Sequence, residues 1–335
     1  MGKKTLVALV SATVIFSLVM AGCGGNTKAP EGSGKTAEQA APAKKVKVAY
    51  YGSTCEAPTY IAFEKGIFKK KGLDVELVKV NFETLKEGIA TGKVDFVQVT
   101  AGELKPIEQG LDIKITSGVH TGCIQTVVPV NSSIKSPADL KEKTIGVEAI
   151  GGVPMSLLSI ELGRLGVNPK TGVTWKAFPG PQLVQALEKG EIDAFATWDP
   201  FGQLAINEGK VRHIFSNTHT AQYKDHYCCF VGINGKVSKE KPEVARSITE
   251  ALQEAGQWIE ENPKEAAKIV IDKKYTDGDL ETSGTLLTEY TFKSDTTQAK
   301  ESLAFFLKGL KDQQILDSST DPDQLLQSIF VDVSK

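Results

Sequence analysis

The sequence is poor in arginine and carries almost no net charge. Its 39 basic residues include only three arginines, Arg164, Arg212 and Arg246, and each lies in a predicted helix or at the start of a predicted strand. Arginine usually grips carboxylates and sulfonates through paired hydrogen bonds, so its scarcity argues against a strongly anionic ligand. The formal net charge of −2 implies no strong field, and no basic face suited to nucleic acid is visible in the sequence.

The common catalytic motifs are missing as well. The sequence contains neither a Gly-x-Ser-x-Gly elbow nor a His-Glu-x-x-His pair, and it has only four histidines. Its length and composition are those of a soluble globular protein that is large enough for two domains. We therefore expect a binding protein rather than an enzyme, and no cofactor.

The first residues form a targeting segment rather than part of the fold. Lys3 and Lys4 precede an uncharged apolar stretch at 6–21, and small residues follow it. The tetrad Met-Ala-Gly-Cys at 20–23 resembles the lipobox of bacterial lipoproteins, which implies that Cys23 is lipidated and begins the mature chain. A plain signal peptide or an uncleaved anchor helix is the alternative. The residues that follow, up to 44, lack large apolar side chains and are predicted to be a flexible tether.

Two segments of the chain look like copies of each other. Residues 85–110 and 183–209 both read as a helix, a Gly-x-x-Asp turn, a short apolar strand and a second helix. The matched residues are Gly92 and Asp95 in the first copy and Gly190 and Asp193 in the second. A segment of this length that is repeated once predicts two related lobes. In such α/β lobes, the turns that follow the strands face a ligand cleft.

The alternation of strands and helices predicts an α/β fold with mainly parallel strand pairing. After Gly235 the pattern becomes helical, with a long amphipathic helix at 238–261, and we expect this tail to pack on the first lobe. The predicted parts are a signal peptide at 1–22, a tether at 23–44, lobe 1 at 45–120 plus 230–335, and lobe 2 at 121–229. Two crossovers between the lobes, near 120–123 and 226–229, would form a hinge.

Several ordered motifs in residues 46–235 resemble the nitrate, sulfonate and taurine solute-binding proteins of ABC importers. They are AFEKGIF at 62–68, GLDV at 72–75, IKSPADLK at 134–141, TIGV at 144–147, GEIDA at 190–194 and WDP at 198–200. The resemblance implies a two-lobed, periplasmic-binding-protein-like fold of type II that closes on a small solute by hinge motion. It also implies a monomer outside the cytoplasm, anchored to the membrane by lipid, that delivers a small nitrogen- or sulfur-containing solute to permease subunits.

A second resemblance concerns a synthase of pyrimidine precursors that shares this fold and uses a Cys-rich stretch. The run Cys228-Cys229-Phe230 is similar to that stretch, but only faintly. It leaves open a pyrimidine-precursor-binding protein or synthase. The signal peptide argues against the enzyme, because that chemistry needs cytosolic substrates.

The predicted ligand site consists of strand-end turns, helix N-termini and crossover residues, where such folds meet their ligands. Its hydroxyls and backbone N–H groups could hold an anion, while Trp198 could stack on a ring or cation and Asp199 could accept from an amine. Core packing and helix capping are the alternatives for those two residues. The predicted ligand-binding residues are Ser53, Thr54, Cys55, Thr100, Ala101, His120, Cys123, Gly152, Val153, Trp198, Asp199 and Cys228.

All four cysteines after Cys23 fall in predicted cleft segments. They are Cys55, Cys123, Cys228 and Cys229, and His120 and His226 lie beside them. Buried thiols that line the ligand site, disulfides, and a soft-metal site remain open as interpretations. The spacing matches no zinc motif, so no metal ligand is predicted. Neighbouring residues on a strand point to opposite faces, so at most one of Cys228 and Cys229 should face the ligand.

Overall fold

The computed structural model describes residues 43–333, so the predicted signal peptide, Cys23 and nearly all of the tether lie outside the described residues. Ten strands form two five-stranded sheets. The first sheet contains β1 (Lys44–Tyr50), β2 (Leu73–Lys79), β3 (Phe96–Val99), β4 (Ile113–Thr121) and β10 (Tyr227–Asn234). The second contains β5 (Ile124–Pro129), β6 (Thr144–Val147), β7 (Thr174–Ala177), β8 (Ala194–Trp198) and β9 (Val211–Ser216).

Helices cover both sheets and make up the C-terminal part of the described chain. Those that alternate with strands are α1 (Ala57–Glu64), α2 (Ile67–Lys70), α3 (Phe82–Ala90), α4 (Leu104–Glu108), α5 (Val153–Arg164), α6 (Leu183–Glu188) and α7 (Phe201–Asn207). The tail contains α8 (Gly235–Glu240), α9 (Pro242–Glu261), α10 (Pro263–Asp272), α11 (Leu280–Glu289), α12 (Thr296–Asp312) and α13 (Pro322–Ile329). Within residues 43–333, no helix is both long and apolar enough to cross a membrane.

The two sheets share one plan, which confirms the predicted α/β two-lobed fold class. Their strand orders are β2-β1-β3-β10-β4 and β7-β6-β8-β5-β9, and each order places the strand of one sequence copy, β3 or β8, at the centre. The expectation of mainly parallel pairing is wrong. In each sheet, one of the two strands beside the central strand, β10 or β5, runs antiparallel to both of its neighbours. These strands enter from the crossovers, so the chain arrives in the reverse direction.

The two sequence copies fold into the same local structure, α3-β3-α4 and α6-β8-α7. The glycine after the first helix of each copy has a positive φ, 69° at Gly92 and 71° at Gly190, which glycine adopts without steric cost. Asp95 Oδ2 accepts from the backbone N–H of Lys47 at 2.8 Å, and Asp193 Oδ2 accepts from that of Thr144 at 2.8 Å. Each aspartate therefore ties the central strand of its sheet to a parallel neighbour, β1 in the first sheet and β6 in the second.

The tail differs from the prediction in two respects. The predicted helix at 238–261 is interrupted at Lys241, because Pro242 has no N–H and pushes the residue before it out of the helical region. The tail also packs on more than the first sheet. Helix α9 lies against α1 and β4, but α12 also contacts α5 beside the second sheet, with Gly309 against Ile160. The lobe boundaries given above therefore remain a prediction. The chain passes from the first sheet to the second between Thr121 and Ile124, and it returns to the first sheet between Ser216 and Tyr227.

Candidate functional site

Turns from both sheets enclose a small inner cavity. Its volume is about 40 Å³, measured as the space open to the centre of a water molecule. One water needs about 10–15 Å³ on this measure, so the cavity suits a small solute. Its lining is Tyr51, Ser53, Cys55, Glu56, Phe82, Gln98, Thr100, Glu103, Cys123, Ile124, Ala149, Gly152, Val153, Trp198 and Cys229. A wider outer cavity of about 500 Å³ shares Tyr51, Phe82, Ala149 and Trp198 with it.

The turn after β1 is built around the buried carboxylate of Glu56. This carboxylate accepts hydrogen bonds from the backbone N–H groups of Tyr51, Gly52 and Ser53 at 2.8 to 3.0 Å. The hydroxyls of Ser53 and Tyr60 donate to it as well, at 3.0 and 2.9 Å. Gly52 adopts a φ of 99°, which lets consecutive N–H groups point at one acceptor. The carboxylate thus fixes the turn that carries Ser53 and Cys55 to the cavity.

A second buried acid fixes the turn after β3. Glu103 Oε2 accepts from the backbone N–H of Thr100 at 2.8 Å and from its hydroxyl at 2.6 Å. Its other oxygen accepts from the Tyr51 hydroxyl at 2.9 Å, which joins this turn to the turn after β1. Burial raises the pKa of Glu103, against the effect of its hydrogen bonds with Thr100. Both carboxyl oxygens of Glu103 therefore already accept hydrogen bonds from the turns of the first sheet. The group is not an unoccupied acceptor for a cationic ligand.

The opposite wall of the cavity begins at the N-terminus of α5. Gly151 has a φ of 80°, Gly152 caps the helix, and Val153 is its first residue. The two walls touch, because a Cβ added at Gly102 would lie 2.6 Å from the backbone nitrogen of Val153. The backbone N–H of Thr54 also donates to the carbonyl oxygen of Asp199 at 3.2 Å. The two sheets thus meet across the cavity in this structure.

The turn after β8 contributes an aromatic ring and a buried acid. The ring of Trp198 lies 6.1 Å from that of Tyr51, centroid to centroid and tilted by 40°. Asp199 accepts from Gln125 Nε2 at 2.9 Å and from the hydroxyl of Tyr290 at 2.6 Å. Burial raises its pKa to about 8, although the hydrogen bond from Tyr290 opposes the shift. Its Asp-Pro peptide bond is cis. Tyr290 follows α11, so the tail supports the second wall.

Glu148 lines the outer cavity. It directly follows β6, and it accepts a hydrogen bond from the hydroxyl of Thr197 on the neighbouring β8. Burial raises the pKa of Glu148 to about 8. Its Oε2 atom is buried and has no hydrogen-bond partner. A proton on this carboxyl near neutral pH would remove the cost of burying an uncompensated charge.

The floor of the cavity is formed by thiols from the turn after β1, the first crossover and β10. Cys55, Cys123 and Cys229 line it, and all four described cysteines are buried and free. Thiol hydrogen bonds from Cys123 and Cys229 lower the pKa of Cys55, whereas burial raises that of Cys123. Cys228 does not line the cavity, but its sulfur lies 3.1 Å from that of Cys123. The thiols thus form one contiguous cluster rather than separate core residues.

The structure places seven of the predicted ligand-binding residues on the cavity lining: Ser53, Cys55, Thr100, Cys123, Gly152, Val153 and Trp198. The other five, which are Thr54, Ala101, His120, Asp199 and Cys228, are buried beside it without lining it. Cys229, and not Cys228, reaches the cavity. The strand alternation is disturbed there, since the pairing of β10 with β4 shifts register on both sides of Cys229.

Sequence reasoning did not single out several lining residues, notably Tyr51, Glu56, Phe82, Gln98 and Glu103. Two of these residues could have been found from a local pattern in the sequence. Glu56 stands three residues after Ser53, and Glu103 three residues after Thr100, the spacing at which an acid reaches back to a turn. Phe82 and Gln98 left no such pattern, because Phe82 begins α3 and Gln98 lies within β3.

Comparisons with known proteins agree on one family and one fold. The model of the NMT1-like family matches residues 39–272. The nitrate/nitrite binding protein of Nostoc sp. is 26% identical over 312 residues, covering 82% of this chain and 70% of that protein. A putative aliphatic sulfonates-binding protein of Bacillus subtilis is also 26% identical, covering 98% of this chain and 96% of that one. The alkanesulfonate-binding protein of Xanthomonas axonopodis pv. citri bound to MOPS superposes with a TM-score of 0.73 at 16% identity, covering 88% of this chain and all of that one.

Proposed function

Since the chain belongs to the NMT1-like family, we propose that it is the solute-binding component of an ABC importer. The observation that carries the proposal is the inner cavity, which turns from both sheets enclose. Binding between two lobes couples ligand capture to closure, because a ligand that contacts both walls stabilises the closed form over the open one. A closed form is what a membrane permease could distinguish from an empty, open protein.

The relatives support the class of protein more strongly than the ligand. The relatives cited above are named for nitrate, nitrite and sulfonates, which are all anions. None of the described residues that line the inner cavity is lysine or arginine. Two of the three arginines are engaged elsewhere, Arg164 with Glu161 and Arg212 with the carbonyls of Ser132 and Ile134. An isolated anion would therefore lack the paired contacts it prefers.

We infer that the solute is a small nitrogen- or sulfur-containing organic molecule with little net charge. The backbone N–H groups at the start of α5 could receive a sulfonate or another anionic end. Trp198 and Tyr51 offer ring faces for an ammonium or planar group at the other end. A zwitterion such as taurine fits this pattern better than nitrate, which has no second group to place.

The location and partners follow from the same proposal. An importer component must act outside the cytoplasm, and lipid on Cys23 would hold it at the membrane, with residues 24–44 as the tether. We propose that it works as a monomer and contacts permease subunits. Radiolabelled palmitate incorporated into the native chain but not into Cys23→Ala would support the anchor. Equal labelling of both would contradict it.

Calorimetry on the mature protein tests the binding function. Taurine, an alkanesulfonate, nitrate and a hydroxymethylpyrimidine are titrated into protein pretreated with chelator. We expect saturable heat with one solute per chain for at least one of them, and taurine above nitrate. Trp198→Ala should weaken that binding at least about fivefold, because a stacked ring contributes around 1 kcal/mol or more.

A matched tryptophan provides the control. Trp175 lies on β7, where its indole N–H donates to the carbonyl of Pro169, and it lines neither of the two cavities described above. Trp175→Ala should leave solute affinity unchanged within about twofold. No heat with any solute would remove the proposed ligand class. Equal losses in the two variants would show that Trp198 acts through stability rather than contact.

A further inference from the structure

Three thiols and one imidazole converge at the floor of the inner cavity. The candidate ligand atoms of Cys55, His120, Cys123 and Cys229 all lie within 4.8 Å of one another, and all four residues are buried. They come from three separate segments: the turn after β1, the first crossover with the end of β4, and β10. Neither the solute-binding function nor the packing of the sheets explains why four such side chains should meet there.

His120 supplies an independent observation. Its Nδ1 lies 3.0 Å from the carbonyl oxygen of Thr121, so Nδ1 carries the proton and donates it to that oxygen. In the neutral imidazole, Nε2 is then left with a lone pair, and it is buried without a hydrogen-bond partner. An imidazole that a backbone carbonyl fixes in one tautomer, with the other nitrogen free, is the usual arrangement of a histidine metal ligand.

We propose that Cys55, His120, Cys123 and Cys229 form a metal site for one thiophilic d¹⁰ ion, with Zn²⁺ the best fit. Thiolate and imidazole select Zn²⁺ or Cu⁺ over hard cations such as Mg²⁺ and Ca²⁺. Four ligands suit the tetrahedral coordination of zinc. At a Zn–S distance of about 2.3 Å, two sulfurs of a tetrahedron lie about 3.8 Å apart, which the spacing here accommodates.

The position of the site gives the ion a role in the cleft. Three of its four ligands line the inner cavity, so the ion would lie against that cavity, whose lining also includes Tyr51 and Trp198. The ligands also lie where the two connections between the sheets meet the first sheet: His120 is near the end of β4, Cys123 is in the connection to β5, and Cys229 is near the start of β10. A bound ion would therefore join the ends of β4 and β10 at the hinge. This inference goes beyond the proposed function, and it holds whatever solute the cleft takes.

Cys228 distinguishes a metal site from a simple group of thiols. Its sulfur lies only 3.1 Å from that of Cys123, yet it is not one of the four convergent atoms. A disulfide between these two cysteines would remove Cys123 from the metal site, so the two states exclude each other. Cys228→Ser is thus a matched control: it changes a buried cysteine of the same cluster and leaves the four proposed ligands in place.

The unaltered site is tested first with Co²⁺ as a spectroscopic substitute for Zn²⁺. The chain from residue 23 onward, with Cys23→Ala, is reduced, freed of metal by chelator and titrated without oxygen. We expect one Co²⁺ per chain, thiolate-to-cobalt charge-transfer absorption, and the strong visible bands of tetrahedral cobalt. One equivalent of Zn²⁺ should remove them. A weak octahedral spectrum, or no binding by protein with four reduced thiols, overturns the proposal.

Variants then identify the ligands. Because loss of an outer contact to a metal ligand already weakens metal binding 10- to 100-fold, Cys55→Ser and Cys229→Ser should each weaken Zn²⁺ binding by more than about 100-fold. Cys228→Ser should stay within about threefold of the native chain. Circular dichroism and thermal unfolding establish that each variant is folded. Equal losses in Cys228→Ser and Cys229→Ser would overturn the assignment, as would unchanged binding in Cys55→Ser.

Discussion

The two copies of the helix-strand-helix unit are alike at one end of their central strand and different at the other. At the start of β3 and of β8, Asp95 and Asp193 make the same 2.8 Å bond to the parallel neighbour of that strand, β1 or β6. At the opposite ends, Thr100 to Glu103 form a small turn held by its own acid, whereas Trp198 and Asp199 form a bulky turn held by Tyr290 of the tail. The two copies have kept the residues that hold each sheet together and differ in those that face the cavity.

The same contrast holds for the turns that follow these two neighbouring strands, β1 and β6. The turn after β1 is closed around the Glu56 carboxylate, which accepts from three backbone N–H groups and two hydroxyls. In the second sheet, the corresponding turn after β6 uses Gly151 and Gly152, and its buried acid, Glu148, accepts from Thr197 of β8. The turn after β1 is thus held by a carboxylate, and the turn after β6 is held by the backbone conformation of its glycines. The predictions below test this difference, beginning with the largest expected effect.

Glu56→Gln should destabilise the first wall strongly. The amide presents hydrogens where the carboxylate accepted them, so some of the five donors around it lose their partner while remaining buried. We expect the free energy of unfolding to fall by about 3 kcal/mol, in the range measured for broken buried charge networks. Urea denaturation measures it. Glu76→Gln, at an exposed position on β2, is the control and should change stability by less than about 0.5 kcal/mol.

Gly102→Ala should oppose closure of the two walls. The added methyl would lie 2.6 Å from the backbone nitrogen of Val153 and 2.9 Å from the carbonyl carbon of Gly152, and neither backbone atom can rotate away. We expect solute affinity to fall at least about tenfold, or roughly 1.4 kcal/mol. Small-angle scattering should show a larger radius of gyration. Gly284→Ala on α11, whose methyl would meet only Ala267 at 3.9 Å, should leave both quantities unchanged.

Asp199 should make stability fall as pH rises. Its pKa is about 8 in the folded chain, above the ordinary value, so the stability that the neutral form contributes is complete at low pH and is lost on approaching pH 8. Between about pH 5 and 8, the native chain should lose about 1 kcal/mol per pH unit relative to Asp199→Asn. Denaturation at several pH values measures this. Tyr290→Phe removes a donor that favours the carboxylate, so the loss should continue to higher pH; parallel curves for all three proteins would contradict the assignment.

Much of the fold could be predicted because its signals are local. The glycine and aspartate of each copy and the apolar strands act within a few residues of themselves. Pro242, before which the predicted helix breaks, is also a local signal, but the prediction missed it. Antiparallel entry of β5 and β10 could not be predicted, since it depends on which sheet a crossover strand joins. As alternation predicted, no more than one of Cys228 and Cys229 lines the cavity, but which of them does so escaped prediction, because the register shifts around Cys229 depend on the pairing with β4.

The smallest effect tests the part of the comparison in which the two copies agree. Asp95→Ala and Asp193→Ala each remove one bond to a backbone N–H, at Lys47 and at Thr144. Each should therefore lower the free energy of unfolding by about 1 kcal/mol, because a hydrogen bond to a charged group at a partly exposed site contributes about that much. Neither should alter solute affinity, since both residues lie at the strand ends away from the cavity. The double variant should lose the sum, because each aspartate acts within its own sheet. Unequal losses, or a change in affinity from either variant, would mean that the two copies differ at both ends of the central strand.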